Sequence, residues 1–491
     1  MENAGDIGQA FDGITYSKGS SVITMFENFI GADKFRAGVQ AYLRKHAWKN
    51  TTALDFLTSL SASAGRDVTM PFSTFLDRAG APLLRVNLEC NGKTPAVSIK
   101  QERLLPAGST GKRNQAWQVP VCLRYSTGSA TATECALLTD PKQTFALSKT
   151  RSCPAWVNAD AGGAGYYRLL YEGDLGSKLA DAGVLSLEER VNLVLNVQTL
   201  FSAGLLGPEQ ALPLAIRFAT SDDHQIAGAA INIFGSARLL VKEDQQSAFE
   251  HLIGQTFADK ARRLGWTAAA SEDDDTRLLR SLLLQTVLTW GREKDFDAQA
   301  RSLTIKWLAD RKSLDPLLAR GIVNSAARKG DKELFTALRA AAEELTDVSE
   351  RAIATASLAA VVDPQIAREA LEWVLTTNRP PNERMGVLVG IGAKPETAHV
   401  MWDFLTQHYS TLVERLPEVP SIDRGALVIG MVGGLCTEAS RQEVHAFFAD
   451  RSKNLSGGPR ALAQALETMD LCVARRTAQQ AAMTRYLSGQ L

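Results

Sequence analysis

Histidine is scarce in this sequence, and what there is does not pair. The six residues are His46, His224, His251, His399, His408 and His445, and no two stand four apart on a helical face with a glutamate between them. An H-E-x-x-H helix, which places two imidazoles and a general base on one metal, is therefore missing. No Cys-x-x-Cys occurs among the six cysteines, so a thiolate zinc site of the finger type is not indicated. A G-x-S-x-G elbow, a P-loop and a G-x-G-x-x-G nucleotide fingerprint are likewise missing. Net charge is lacking too: 54 basic residues balance 54 acidic ones, with no basic stripe interleaved with aromatics, which argues against a nucleic-acid partner. The longest apolar runs, such as 425–435, fall short of the ~20 residues a membrane helix needs, and Gly433-Gly434 interrupts that one, so no membrane span is expected. The start, Met1-Glu2-Asn3-Ala4-Gly5-Asp6, has neither a basic region nor an apolar core and does not read as a secretion signal. Compartment stays open between cytoplasmic and periplasmic or secreted.

What is present is ordinary globular material, 45% hydrophobic and 22% charged over 491 residues, enough for two to four cores at roughly 100–200 residues each. Residues 17–80 read as helices. Val22, Ile23, Phe26, Phe29 and Ile30 recur at three- and four-residue intervals up to Gly31; Phe35, Val39, Tyr42 and Leu43 follow; Thr51-Thr52 caps a third helix carrying Leu54, Phe56, Leu57 and Leu60. A short helix over 72–77 ends at Gly80 and Pro82. From Leu83 to about Tyr171 the period changes to two, giving about six strands and a small sandwich, with a hairpin turn at Thr127-Gly128-Ser129. From Ser177 onward the pattern is helical, about sixteen helices, with Ser186 and the acids after it capping one of them. Antiparallel pairs stacked as an irregular HEAT- or armadillo-like superhelix would bury those faces. The fold class is mainly α and multidomain, with domains at 1–80, 81–172 and 173–491.

Two acidic clusters, Asp222-Asp223-His224 and Glu272-Asp273-Asp274-Asp275, precede apolar runs and read as helix starts rather than cation sites, since the EF-hand spacing is missing. Cys90, Cys122, Cys135 and Cys153 fall in the strand region. The hairpin brings Cys122 and Cys135 near each other, which leaves two readings: a disulfide, and hence an oxidising compartment, or small buried residues of the sandwich.

The run Ile14-Thr15-Tyr16-Ser17-Lys18-Gly19, followed by Val22, Met25-Phe26-Glu27, Gly31, Phe35-Arg36, Gly38, Tyr42-Leu43 and Asn50-Thr51-Thr52, resembles the aminopeptidase N family of zinc peptidases just downstream of its metal-binding helices. Gly80-Ala81-Pro82 resembles the family's entry to its β-sandwich, with Phe75 where a tryptophan is common. Gly165-Tyr166-Tyr167-Arg168 and Tyr171 resemble the exit into its helical C-terminal domain. The resemblance makes Tyr16 the tyrosine that stabilises the transition state. It implies a C-terminal two-thirds or so of an aminopeptidase that removes N-terminal amino acids from peptides. Zinc is expected in the full-length enzyme and not in this chain, which lacks the ligands and the general base. Met1-Glu2-Asn3-Ala4-Gly5 is not the family's amino-group-binding motif, because the ten residues before Tyr16 leave no room for the intervening helices. The expected partners are peptide substrates and the missing N-terminal catalytic portion, against which residues 17–80 would turn an apolar face. A non-catalytic peptide- or protein-binding helical module, or a complementing subunit of a split aminopeptidase, are the alternatives.

Overall fold

In the computed structural model residues 14–92, 94–269, 271–416 and 423–489 are described. Met1-Glu2-Asn3-Ala4-Gly5 and Phe11-Asp12-Gly13 lie outside them. The protein is mainly α and divides into two compact units, the first ending at Leu206 and the second beginning at Gly207.

The first unit opens with helices Gly19–Ile30, Ala32–Lys45, Ala53–Ala64 and Thr69–Asp77. Val22, Met25, Phe26, Phe29 and Ile30 form the buried face of the first of these. Gly31, at φ 94°, ends it in a conformation that glycine adopts without the Cβ penalty. Helices Ala32–Lys45 and Ala53–Ala64 meet at Gly38, where a Cβ would stand 2.6 Å from Ser63 Oγ. Thr52 caps the third helix in a capping box with Asp55, satisfying two free backbone amides at once.

Among the described residues seven strands follow, one more than the alternation suggests, because the two-residue β6 has no period to read. They are β1 (Pro82–Glu89), β2 (Ala96–Arg103), β3 (Val119–Ser126), β4 (Thr131–Leu138), β5 (Lys142–Ala146), β6 (Val157–Asn158) and β7 (Arg168–Tyr171). One sheet has the order β5-β2-β1-β7 and the other β4-β3-β6, with β1 and β7 parallel and the remaining pairs antiparallel. Between them lies a core of Leu84, Val86, Val97, Ile99, Val121, Tyr125 and Leu169, which also takes in the buried faces of the preceding helices. Helices Leu175–Asp181 and Leu187–Ser202 belong to the same unit.

In the second unit consecutive helices contact one another in pairs. The second members of successive pairs, His224–Arg238, Asp274–Trp290, Pro316–Arg328, Val348–Ala360 and Pro381–Gly392, stack side by side. Asp223, Asp273, Asp315 and Asp347 accept backbone amides in the first turns of four of these, and Asp331 and Asp363 do the same for Lys332–Glu344 and Pro364–Thr376. The last helix, Gly458–Ser488, packs on Arg424–Ile429 and Glu438–Arg451 and returns to touch Pro208–Ala219, so the array closes on its own first helix.

All six cysteines are bonded: Cys90 with Cys153, Cys122 with Cys135 and Cys436 with Cys472. The hairpin pair is directly opposed in the β3–β4 register.

Candidate active-site segment

Tyr16 sits in a five-residue π-helical turn, Ile14–Lys18, that runs directly into the helix Gly19–Ile30. Such a turn re-aims a side chain relative to the α-helix that follows. Ser20 and Ser21 fix it by donating their hydroxyls to the Ser17 carbonyl at 3.2 and 2.8 Å. Lys18 Nζ donates to the Arg78 carbonyl at 3.3 Å, and partial burial holds its ammonium below the usual lysine range. The Tyr16 side chain is 59% exposed, so its phenol is within reach of a ligand.

The helix behind Tyr16 is fastened to the loop that joins β6 to β7. Asn28 Nδ2 donates to the Ala161 carbonyl at 3.1 Å, and the Tyr166 amide donates to Met25 Sδ at 3.4 Å. In that loop Gly163 has φ 66°, and a Cβ there would lie 2.8 Å from the Glu188 carbonyl oxygen. The loop folds over two buried carboxylates. Asp160 accepts from Gly165 N at 2.9 Å and from Asn192 Nδ2 at 2.6 Å. Burial pushes its carboxyl up to about 6, with the Glu189 charge acting the same way; the Gly165 amide, Arg168 and the Tyr167 hydroxyl oppose the shift. Glu189 takes Arg124 Nε at 2.9 Å, Gly162 N at 3.1 Å and the Ser186 amide at 3.0 Å. Tyr167, fully buried, donates to the Ala159 carbonyl at 2.9 Å, and loss of water raises its phenol far above the ordinary value. One loop thus ties the Tyr16 helix, the sandwich and helix Leu187–Ser202 together. The family resemblance makes Gly165 to Arg168 the exit from the sandwich into the helical domain and says nothing of these contacts. The signal for the rest is faint: Asp160 sits among Ala and Gly residues that ordinarily mark a solvent loop.

The histidines stay apart. His46 stacks its ring on Tyr42 at the end of helix Ala32–Lys45, His408 caps Ala398–Gln407 against Phe404, and His251, His399 and His445 are exposed. His224 meets Asp275, which brings the two acidic clusters together, while Asp222 pairs with Lys260 and Glu272 with Arg280. Both clusters are helix starts, as their position before apolar runs suggested. Among the described residues no three His, Cys, Asp or Glu side chains converge as a metal site.

In the second unit cations gather where stacked helices end. Arg238 and Arg328 share the carboxylate of Glu396, and Lys394 Nζ donates to the carbonyls of Ala359 and Gly390. Burial, then the charges of Arg328 and Arg238, lower the Lys394 ammonium to about 7. Arg238 and Arg328 end their own helices, and the Ala359 and Gly390 carbonyls lie in the last turns of theirs, positions where the backbone dipole is negative and favours a cation.

Residues 156–471 match the ERAP1-like C-terminal domain family, and residues 1–75 match the Peptidase family M1 domain. The first match covers more than half of the chain, and the M1 segment contains Tyr16. The chain belongs to the M1 aminopeptidase family, whose C-terminal portion it represents. It is similar to Aminopeptidase 2 of Candida albicans, 28% identical over 95% of this chain and 50% of that protein. Similarity extends to Aminopeptidase 2, mitochondrial, of Saccharomyces cerevisiae, 24% identical over 96% of this chain and 48% of that protein. The Puromycin-sensitive aminopeptidase of Caenorhabditis elegans is 22% identical over 84% of this chain and 44% of that protein. The chain spans about half the length of these relatives, less than the two-thirds expected. Enzymes of the family are zinc-dependent at full length. The described residues here do not fit that metal, having no ligand set for it.

Proposed function

We propose that this chain is the C-terminal part of a zinc aminopeptidase that removes N-terminal amino acids from peptides, and that it has no peptidase activity alone. The observation that carries the reading is Tyr16, an exposed phenol on a fixed π turn inside the segment that matches the M1 peptidase domain. Its role in the complete enzyme is to donate a hydrogen bond to the oxyanion of the tetrahedral intermediate. Charge there exists mainly in the transition state, so one such donor contributes about 3–4 kcal/mol to the rate step. The sandwich and the loop over Asp160 hold the helix that aims it. On this reading residues 1–80 belong to the peptidase domain, 81–172 to the sandwich and 173–491 to the helical domain.

Surface chemistry of the first helices supports an incomplete peptidase domain. Ile23, Leu43 and Leu54, which the periodicity assigned to buried faces, are exposed, as are Trp48, Met70 and Leu76. With Tyr16 these make seven of the fourteen exposed large hydrophobics among the described residues, all within 16–76. Apolar surface concentrated in this way marks a face that another protein segment covers. Its occupant is the metal-bearing part of the peptidase domain, on the same polypeptide or on a complementing one. The test is an assay of the purified chain on aminoacyl-p-nitroanilides. No chelator-sensitive turnover is expected, and robust chelator-sensitive release by this chain alone would overturn the proposal.

A further inference from the structure

All three disulfides have a solvent-facing or half-buried sulfur residue, which bears on where the protein works. Cys90, after β1, joins Cys153, ahead of β6; Cys122 on β3 joins Cys135 on β4; Cys436 joins Cys472 within helix Gly458–Ser488. The Cα atoms stand 5.4, 4.0 and 5.7 Å apart. The sequence points only to the hairpin pair, where a disulfide and two small buried residues are both consistent with the pattern. Two observations close that choice. No cysteine is left over, although the chain brings six from the sandwich and from the helical array. And Cys135 and Cys153 are exposed, with Cys90, Cys436 and Cys472 half-buried, so a thiol pool would reach every bond. Disulfides that small thiols can reach do not persist in a reducing cytoplasm.

We infer that the chain matures in an oxidising compartment, with its six cysteines closed as three disulfides, and that the peptides its enzyme trims are those of that compartment. The second half of this rests on the aminopeptidase reading above; the first does not. The chemistry requires an oxidant, and the class that supplies it is a protein carrying an exchangeable disulfide. For each bond a chain thiolate attacks the carrier's disulfide and the second chain thiolate displaces the carrier. Two chain thiols lose two protons and two electrons, which the carrier's disulfide takes up to leave as a dithiol.

The experiment is disulfide mapping of the protein taken from its native producer, with thiols trapped by N-ethylmaleimide before lysis and digestion under non-reducing conditions. Three linked peptide pairs are expected, 90 with 153, 122 with 135 and 436 with 472, and no alkylated cysteine. Alkylation of these residues in the folded native protein would overturn the inference. Thermal melting gives a second reading: reduction, or the double variant Cys436→Ser/Cys472→Ser, is expected to lower the midpoint by about 5 °C or more, because a bonded 36-residue separation restricts the unfolded chain. An unchanged midpoint would contradict a structural role for that bond. Failure of this inference is separable from failure of the peptidase reading. Free thiols in a protein that is active once completed overturn the compartment only, and intact disulfides in a completed protein without peptidase activity overturn the function only.

Discussion

Asn192, on helix Leu187–Ser202, donates its amide at 2.6 Å to the carboxylate of Asp160, an almost wholly buried acid in the loop that also holds the Tyr16 helix. Two different elements therefore depend on the protonation state of one side chain.

Asp160 has a folded value near 6 against an ordinary 3.8, so the fold binds this proton more tightly than the unfolded chain does. The stabilisation from the protonated form is full below about 4 and is lost as pH rises through about 6, amounting to on the order of 3 kcal/mol by pH 7. Asp160→Asn keeps the shape without the ionisation. The midpoint of the parent relative to this variant is expected to fall between pH 4 and 7, then level off. A difference between the two that does not change with pH would rule out Asp160 as the titrating group.

Glu189 differs in its partners, pairing with Arg124 while also accepting the Gly162 and Ser186 amides. Its carboxylate is almost fully enclosed, the side chain being 3% exposed. Glu189→Ala takes the acceptor from two amides and leaves Arg124 only the Val184 carbonyl, at an expected cost of about 3–5 kcal/mol. Arg124→Met/Glu189→Leu removes both charges and should cost less than the two single changes added together. Chemical denaturation of the four proteins measures this, and simple additivity would show that the pair is not coupled.

Trp48 is fully exposed and, at φ 59°, is the one non-glycine residue among those described to sit in the left-handed region. It spends about 1 kcal/mol of backbone strain with no burial in return. Trp48→Gly is expected to leave the isolated chain as stable or up to about 1 kcal/mol more so, and to lower its self-association in sedimentation. In an enzyme completed with the metal-bearing portion, the same change should weaken the union of the two parts. A large loss of stability in the isolated chain would show that Trp48 packs within this chain instead.

Much of the architecture was readable from local pattern. Thr52, Ser186 and the acid caps sit before apolar runs, the period of two marked the sandwich, and Thr127-Gly128-Ser129 located the hairpin that opposes Cys122 and Cys135. Long-range facts were not legible. Nothing near Cys90 or Cys436 points to partners 63 and 36 positions away. Ile23, Leu43 and Leu54 look like core because periodicity registers apolarity, not what stands opposite. The role proposed for Tyr16 comes from the family resemblance, whereas the contacts that hold its helix, Asn28 on Ala161 and Met25 on Tyr166, join residues more than 130 positions apart.

The central claim is that Tyr16 belongs to an active site this chain only partly carries. Its most direct test is the rate of alanyl-p-nitroanilide hydrolysis by the chain joined to the metal-bearing portion of its peptidase domain, compared with Tyr16→Phe in the same assembly. A fall in kcat of about 10²–10³-fold is predicted, with KM and melting temperature little changed. Full activity in the Phe variant, or an assembly that binds zinc yet releases no amino acid, would contradict the account.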